Sequence, residues 1–264
     1  MYSHLAVNLR WIVRDRIFQA LIAVSLLLIM LVPVISPFSL RQTQELAVTL
    51  TLSFTSFILL VYALLLGSTM VWRDIERRYT FAVLSLPSER GVYLLAKFCS
   101  IAFFLTVSAL FAGFCSAVAI KISSLHTPST IPIQWGAIAL AIGMDLIKYV
   151  LLAAIALLVS TVSTSFFMPF FTTLAIFLAG SASQEVYEFI MSSHGAKLPA
   201  ISRAAIKLVY YLIPNFGAFN FKLQAIYPIP LDRLQIFYNL CYFLVYGTLM
   251  LSLAIWGFSR REIT

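Results

Sequence analysis

Long apolar runs alternate with short polar connections along most of this chain. Each run is about as long as the roughly 20 residues that a helix needs to cross a hydrocarbon core of about 30 Å. Because lipid offers no hydrogen bonds to the backbone, each run must form a helix. The pattern therefore predicts an all-α integral membrane protein. Its six predicted spans are 17–35, 47–72, 98–120, 135–159, 166–183 and 234–258.

The composition fits the same class of protein. Of 264 residues, 61% are hydrophobic and 11% are charged, whereas roughly 25% are charged in a soluble domain. The first apolar run has no small-residue cleavage site after it, so it is predicted to be a span and not a signal peptide. The fifth run is short and is interrupted by Pro169, since proline breaks a helix interior.

The basic residues predict the orientation of the spans. Lysine and arginine concentrate on the cytoplasmic side of membrane proteins, which places both termini in the cytoplasm. The short outer loops then hold only Arg41 and Lys121. The net charge of +8 follows from this bias and requires no nucleic-acid partner. The predicted cytoplasmic residues are Arg10, Arg14, Arg16, Arg73, Arg77, Arg78, Arg90, Lys97, Arg260 and Arg261.

Two segments outside the spans have helical patterns. Residues 1–16 are predicted to form an amphipathic helix in the membrane interface; the alternative is a polar tail in water. In the connection 184–233, residues 200–212 predict a short helix at the outer interface. In the predicted N-terminal helix, the apolar face holds Leu5, Leu9, Ile12 and Val13, and the other face holds Arg10 and Arg14. We expect residues 1–264 as a whole to form one membrane domain.

The segment 73–97 concentrates charge between two apolar runs. Residues 75–86 favour a helix that ends before Pro87, because the residue before a proline avoids helical geometry. Its mixture of apolar and charged side chains suits the groove of another protein. The alternative is that the charges only anchor the ends of the neighbouring spans.

The spacing within this segment has a known parallel. It contains Glu76, Thr80, Leu84-Ser85, Pro87, Arg90 and Lys97. This pattern resembles the first cytoplasmic loop of the ABC-2-type permeases, the membrane subunits of one class of ATP-binding-cassette exporters. Tyr79 departs from the family pattern, in which a small residue commonly precedes the threonine.

The resemblance implies that 73–97 is a coupling loop seated in a cleft of a separate ATPase subunit. It further implies a dimer of permeases, most simply a homodimer, with two ATPase copies in the bacterial cytoplasmic (inner) membrane. ATP and Mg would be bound by the ATPase. The chain has no G-x-x-x-x-G-K-[ST] phosphate loop of its own, and we predict a non-catalytic subunit without a cofactor. The predicted docking or loop-shaping residues are Glu76, Thr80, Leu84, Pro87 and Arg90.

Asp145 and Lys148 are ionisable residues near the middle of the fourth predicted span. Charges at this depth cost several kcal/mol or more, so they should face protein or water. At i and i+3 the two side chains can pair. They are predicted either to line the substrate path or a subunit interface, or to form a self-neutralised structural pair. Neither has a histidine or cysteine at ligand spacing, so we expect no metal.

Two other functions compete with transport. A membrane scaffold or assembly factor could use the same loop to recruit a cytosolic protein. A lipid-modifying enzyme would need a catalytic cluster, but the chain contains no HExxH, no GxSxG and no Cys–His pairing. The cargo of an exporter is not evident from the residues.

Overall fold

The computed structural model describes residues 2–39, 42–76, 90–126, 132–191, 201, 206–208, 210, 213–227 and 229–260. Within these residues the regular structure is helical. Short 3₁₀ turns lie at Ser36–Phe38 and Gly217–Phe219. The α-helices are α1 (Tyr2–Arg14), α2 (Arg16–Ile35), α3 (Thr43–Glu76), α4 (Arg90–His126), α5 (Trp135–Val162), α6 (Phe167–Met191), α7 (Lys222–Ile226) and α8 (Arg233–Arg260).

Six helices, α2 to α6 and α8, are long and apolar enough to cross a membrane. This confirms the predicted all-α membrane fold with six spans, and α1 is the expected helix ahead of the first span. Because successive spans alternate in direction, α2 begins on the side of the membrane where α8 ends. We call this the proximal side and the opposite one the distal side.

The helices α3 and α5 form the centre of the bundle. They pack against each other, α2 and α4 cover α3, and α6 and α8 lie against α5. Leu59 and Leu66 of α3 and Leu151 and Leu152 of α5 are completely buried. By contrast, α8 presents Leu244 and Val245 outward, where hydrocarbon rather than water is the surrounding solvent.

Small residues allow α3 and α5 to approach closely. A Cβ added to Gly67 would overlap the Cβ of Ala156 and lie 3.2 Å from the carbonyl oxygen of Ala153. One turn further along, the Ser160 hydroxyl donates to the Ser68 carbonyl at 3.1 Å. Close backbone approach and interhelical hydrogen bonds are the main attractions between helices in lipid, where the hydrophobic effect does not drive association.

The segment 213–227 closes the distal end of the bundle. Its Phe216 and Phe219 are buried, and the Phe216 amide donates to the Gly180 carbonyl at 3.2 Å. The backbone amide of Asn215 donates to the Tyr242 hydroxyl at 2.9 Å. The side-chain amide of Asn239 donates to the Ala218 carbonyl at 2.7 Å. These bonds satisfy non-helical backbone at a depth where irregular chain must be covered by protein.

Several predicted boundaries differ from the structure. The helices α3 and α4 run beyond the apolar runs, because backbone hydrogen bonding continues past the last apolar side chain. Pro169 does not interrupt the fifth span, since it lies in the first turn of α6, where a proline removes no intrahelical hydrogen bond. Only 201, 206–208 and 210 of the predicted helix at 200–212 are described, so that prediction lies mostly outside the described residues.

The α3–α5 contact makes a prediction about stability. We expect Gly67→Ala to lower the free energy of unfolding by about 1–3 kcal/mol, because the added methyl has no space between the two helices. Gly143→Ala is the matched control, since a Cβ there meets no atom within 4 Å. Thermal unfolding of the detergent-solubilised variants measures the difference. Equal melting temperatures for the two variants would contradict this account of the contact.

Candidate functional site

Two of the predicted docking residues, Glu76 and Arg90, lie on the proximal side at the facing ends of α3 and α4. Glu76 is the last residue of α3, and its side chain is exposed. Arg90 is the first residue of α4. Thr80, Leu84 and Pro87 lie outside the described residues, as does the side chain of Arg90. The structure therefore places the two ends of the predicted loop.

The ends of α3 and α4 are joined by three side chains that we call the root cluster: Asp74, Tyr93 and Lys97. The Lys97 ammonium lies 2.6 Å from the Asp74 carboxylate and donates to the Met70 carbonyl at 3.0 Å. The Tyr93 hydroxyl donates to the same carboxylate. Lys97 is buried, whereas Asp74 retains about a quarter of its side-chain exposure. The carboxylate thus accepts from both α4 residues at the boundary of the apolar core.

A second group of side chains attaches α1 and α2 to the end of α3. We call Trp11, Asp15 and Arg73 the corner group. The Arg73 guanidinium donates to the Asp15 carboxylate at 2.9 Å and lies 4.3 Å from the centre of the Trp11 ring. Asp15 also caps α2 by accepting from the Ile17 amide at 3.0 Å. Arginine over an indole face adds a cation–π attraction to the ion pair.

The last helix reaches the same region. The Tyr93 ring stacks on the Phe258 ring with 5.9 Å between the ring centres. Tyr93 consequently contacts α8 through its ring and α3 through its hydroxyl. Since Arg73 and Asp74 are adjacent in the chain, the root cluster and the corner group connect α1, α2, α3, α4 and α8 at the base of the loop.

Asp145 and Lys148 form a buried ion pair on α5. Only 3% of Asp145 and 6% of Lys148 is exposed. The Lys148 ammonium also lies 4.6 Å from the centre of the Tyr149 ring, and the Tyr149 hydroxyl is hydrogen-bonded to Ser56 of α3 at 2.7 Å. The pair therefore lies inside the packed part of the bundle, close to the α3–α5 contact.

Lys222 is a further cation near this pair, on the distal side. Burial lowers the pKa of Lys222, Asp145 opposes that change, and Lys148 adds to it. The segment 213–227 thus brings a second ammonium group into the field of the Asp145–Lys148 pair. Within the described residues no group of three histidine, cysteine, aspartate or glutamate side chains could hold a metal ion.

The root cluster and the corner group include residues that the sequence reasoning did not assign. The sequence predicts Lys97 on the cytoplasmic side and within the loop pattern, whereas Asp15, Asp74 and Tyr93 carry no predicted role. A partial signal existed, because Asp74 and Lys97 are opposite charges located where adjacent spans meet the proximal surface. Pairing them required knowledge of how α3 and α4 face each other.

The root cluster predicts a coupling energy between α3 and α4. We expect Lys97→Met to lower the free energy of unfolding by about 2 kcal/mol, because Asp74 loses its cation while remaining partly desolvated. In Asp74→Asn/Lys97→Met the loss should be smaller than the sum of the single losses. A double-mutant cycle from thermal unfolding measures the coupling. Strictly additive losses would show that the pair contributes nothing.

One known protein family covers nearly the whole chain. No curated protein matches the chain at a significant level. A family model described as ABC-2 family transporter protein matches residues 5–263, which includes the six spans, the root cluster and the predicted loop. The chain therefore belongs to the ABC-2 transporter family.

Proposed function

We propose that this chain is the permease subunit of an ATP-driven exporter and that the loop between α3 and α4 receives force from a separate ATPase. Membership of a transporter family supports the permease role. The observation that carries the coupling role is the root cluster, because it connects both ends of the loop to the helices that form the membrane domain.

The proposed arrangement assigns the proximal side to the cytoplasm. Lysine and arginine concentrate on the cytoplasmic side of membrane proteins. The proximal side holds Arg10, Arg14, Arg73 and Arg260. Two ATPase subunits would each hold one loop of a permease homodimer in a bacterial cytoplasmic membrane. ATP and Mg would be bound by those subunits, and this chain would contribute the path and no catalysis.

The coupling step follows from the contacts at the base of the loop. When the ATPase dimer closes on ATP, it would displace the loop, and the displacement would reach α3 and α4 through Asp74 and Lys97. The ion pair between Arg73 and Asp15 would carry it to α1 and α2. Packed helices respond by discrete repacking and do not deform continuously. This motion would therefore switch the substrate path between a state open to the cytoplasm and a state open to the outside.

Substitution at the loop ends tests the proposal. We expect Glu76→Ala and Arg90→Ala each to weaken ATPase association by about tenfold, which corresponds to about 1.4 kcal/mol, or to uncouple ATP hydrolysis from transport. Glu185→Ala and Arg233→Ala are matched controls, because both side chains are exposed at the distal side. The measurements are co-purification, ATPase activity and transport in vesicles.

Three outcomes would count against this function. Purification of the native protein without an ATPase would remove the basis of the proposal. Unchanged association and transport in both loop variants would contradict the coupling role of Glu76 and Arg90. An ATPase that binds normally while no cargo moves would favour a scaffold.

The Asp145–Lys148 pair yields a separate prediction. Its burial inside one copy favours the self-neutralised structural role over a place on the substrate path. We expect Lys148→Met alone to cost about 3–5 kcal/mol of stability, because it leaves a buried carboxylate without its cation. Asp145→Asn/Lys148→Met should regain most of that loss and should retain transport. A double variant that folds normally but does not transport would instead support a role in the path or at the subunit interface.

A further inference from the structure

A groove opens on the surface of the bundle between α2 and α4. Ile58 and Tyr62 of α3 form its floor, and both are buried. Its rims include Phe103 and Phe111 of α4, whose side chains are exposed. The proximal end is closed by Leu9 and Val13 of α1. The groove has a volume of about 290 Å³ and is open at the surface of the bundle.

The dimensions of the groove match one leaflet of a bilayer. Along α4 its lining extends from Phe103 to Ala112, which is roughly 13 Å at about 1.5 Å per residue. The hydrocarbon of one leaflet is about 15 Å thick, half of the roughly 30 Å core. The groove begins at Leu9 and Val13 of α1 and extends along the middle of α4, which runs from Arg90 to His126.

The chemistry of the lining suits an acyl chain. The lining is almost entirely apolar, with hydroxyls contributed by Ser25, Tyr62 and Ser108. Ser25 donates to the Ile22 carbonyl at 2.6 Å, so this hydroxyl is satisfied within the protein. Apart from Tyr62 and Ser108, the remaining lining side chains are apolar, which suits a hydrocarbon chain.

Two arginines lie beside the mouth of the groove. Arg10 and Arg14 are spaced at i and i+4 on the polar face of α1, which borders Val13 at the edge of the apolar face. Val13 lines the groove, and both arginine side chains are exposed. A phosphate at the level of α1 would meet two guanidinium groups, each of which can bind phosphate oxygens in a bidentate manner.

We infer that this groove is a binding site for an anionic phospholipid of the proximal leaflet, with one acyl chain between α2 and α4 and the phosphate against Arg10 and Arg14. The occupant is a resident membrane lipid and not the cargo. By filling the space between α1, α2 and α4, it holds α1 against the bundle near the corner group. The site depends on the membrane location of the chain and not on the proposed coupling to an ATPase.

Lipid binding to the purified full chain tests the acyl-chain part of the site. Native mass spectrometry in detergent, with phosphatidylglycerol and phosphatidylcholine of identical chains as probes, gives the affinity of each lipid. Ser108→Phe places a ring in the groove from a half-buried position, and its matched control Leu110→Phe lies on the exposed face of α4. We expect Ser108→Phe to bind phosphatidylglycerol at least tenfold more weakly than the parent, and Leu110→Phe to bind it like the parent.

A second pair of variants tests the headgroup. Arg10→Gln/Arg14→Gln should bind phosphatidylglycerol roughly thirtyfold more weakly, since each basic residue contributes about 1 kcal/mol toward an anionic lipid. Its affinity for phosphatidylcholine should fall less, because the choline cation offsets the charge of the phosphate. Arg260→Gln is the control, because this exposed arginine lies on α8, over Trp256.

The contrary results are equally distinct. Equal phosphatidylglycerol binding by Ser108→Phe and the parent overturns the site, and Val107→Trp on the exposed rim replaces that variant if it fails to fold. Equal affinity of the parent for both lipids overturns the anionic headgroup. If Ser108→Phe abolishes transport while phospholipid binding is unchanged, the groove serves cargo and the inference is wrong.

Discussion

A charge that is buried at the edge of hydrocarbon is stable only when another group neutralises it. This constraint organises the proximal side of the protein. Lys97 lies deep enough on α4 to be buried, and it reaches Asp74 and the Met70 carbonyl on α3. Without that contact the ammonium would face an apolar surface, at a cost of several kcal/mol. The two helices that carry the predicted loop are consequently held in one relative position, and α1, α2 and α8 are arranged around that position.

The same constraint has a different solution in the middle of the membrane. Asp145 and Lys148 neutralise each other on one helix, so their pairing does not depend on how α5 is placed. The pairs at the proximal side join different helices and therefore report the tertiary arrangement. A change in the position of α3 relative to α4 or α1 would alter these interhelical pairs and leave the Asp145–Lys148 pair intact. This difference makes the interhelical pairs the better candidates for a moving part.

The sequence predicted what depends on local patterns. Apolar length alone identified the six spans, and the i, i+3 spacing showed that Asp145 and Lys148 could meet. It did not predict the partners of Asp15 or Asp74, because opposite charges in separate segments pair only after the helices pack. The position of Phe216 and Phe219 in the distal end of the bundle was hidden for the same reason, since their cover comes from α6 and α8.

The α1 helix shows how the two proximal features are related. Its Trp11 contacts Arg73 at the base of the loop, while its Leu9 and Val13 close the groove between α2 and α4. The amphipathic pattern predicts Val13 on the apolar face of α1, and Val13 is 56% exposed because it faces the groove and not the core. An occupant of the groove would cover Val13 and add apolar contact that holds α1 in place. The position of α1 would then depend both on the Arg73–Asp15 pair, which a moving loop alters, and on the lipid, which resists that movement.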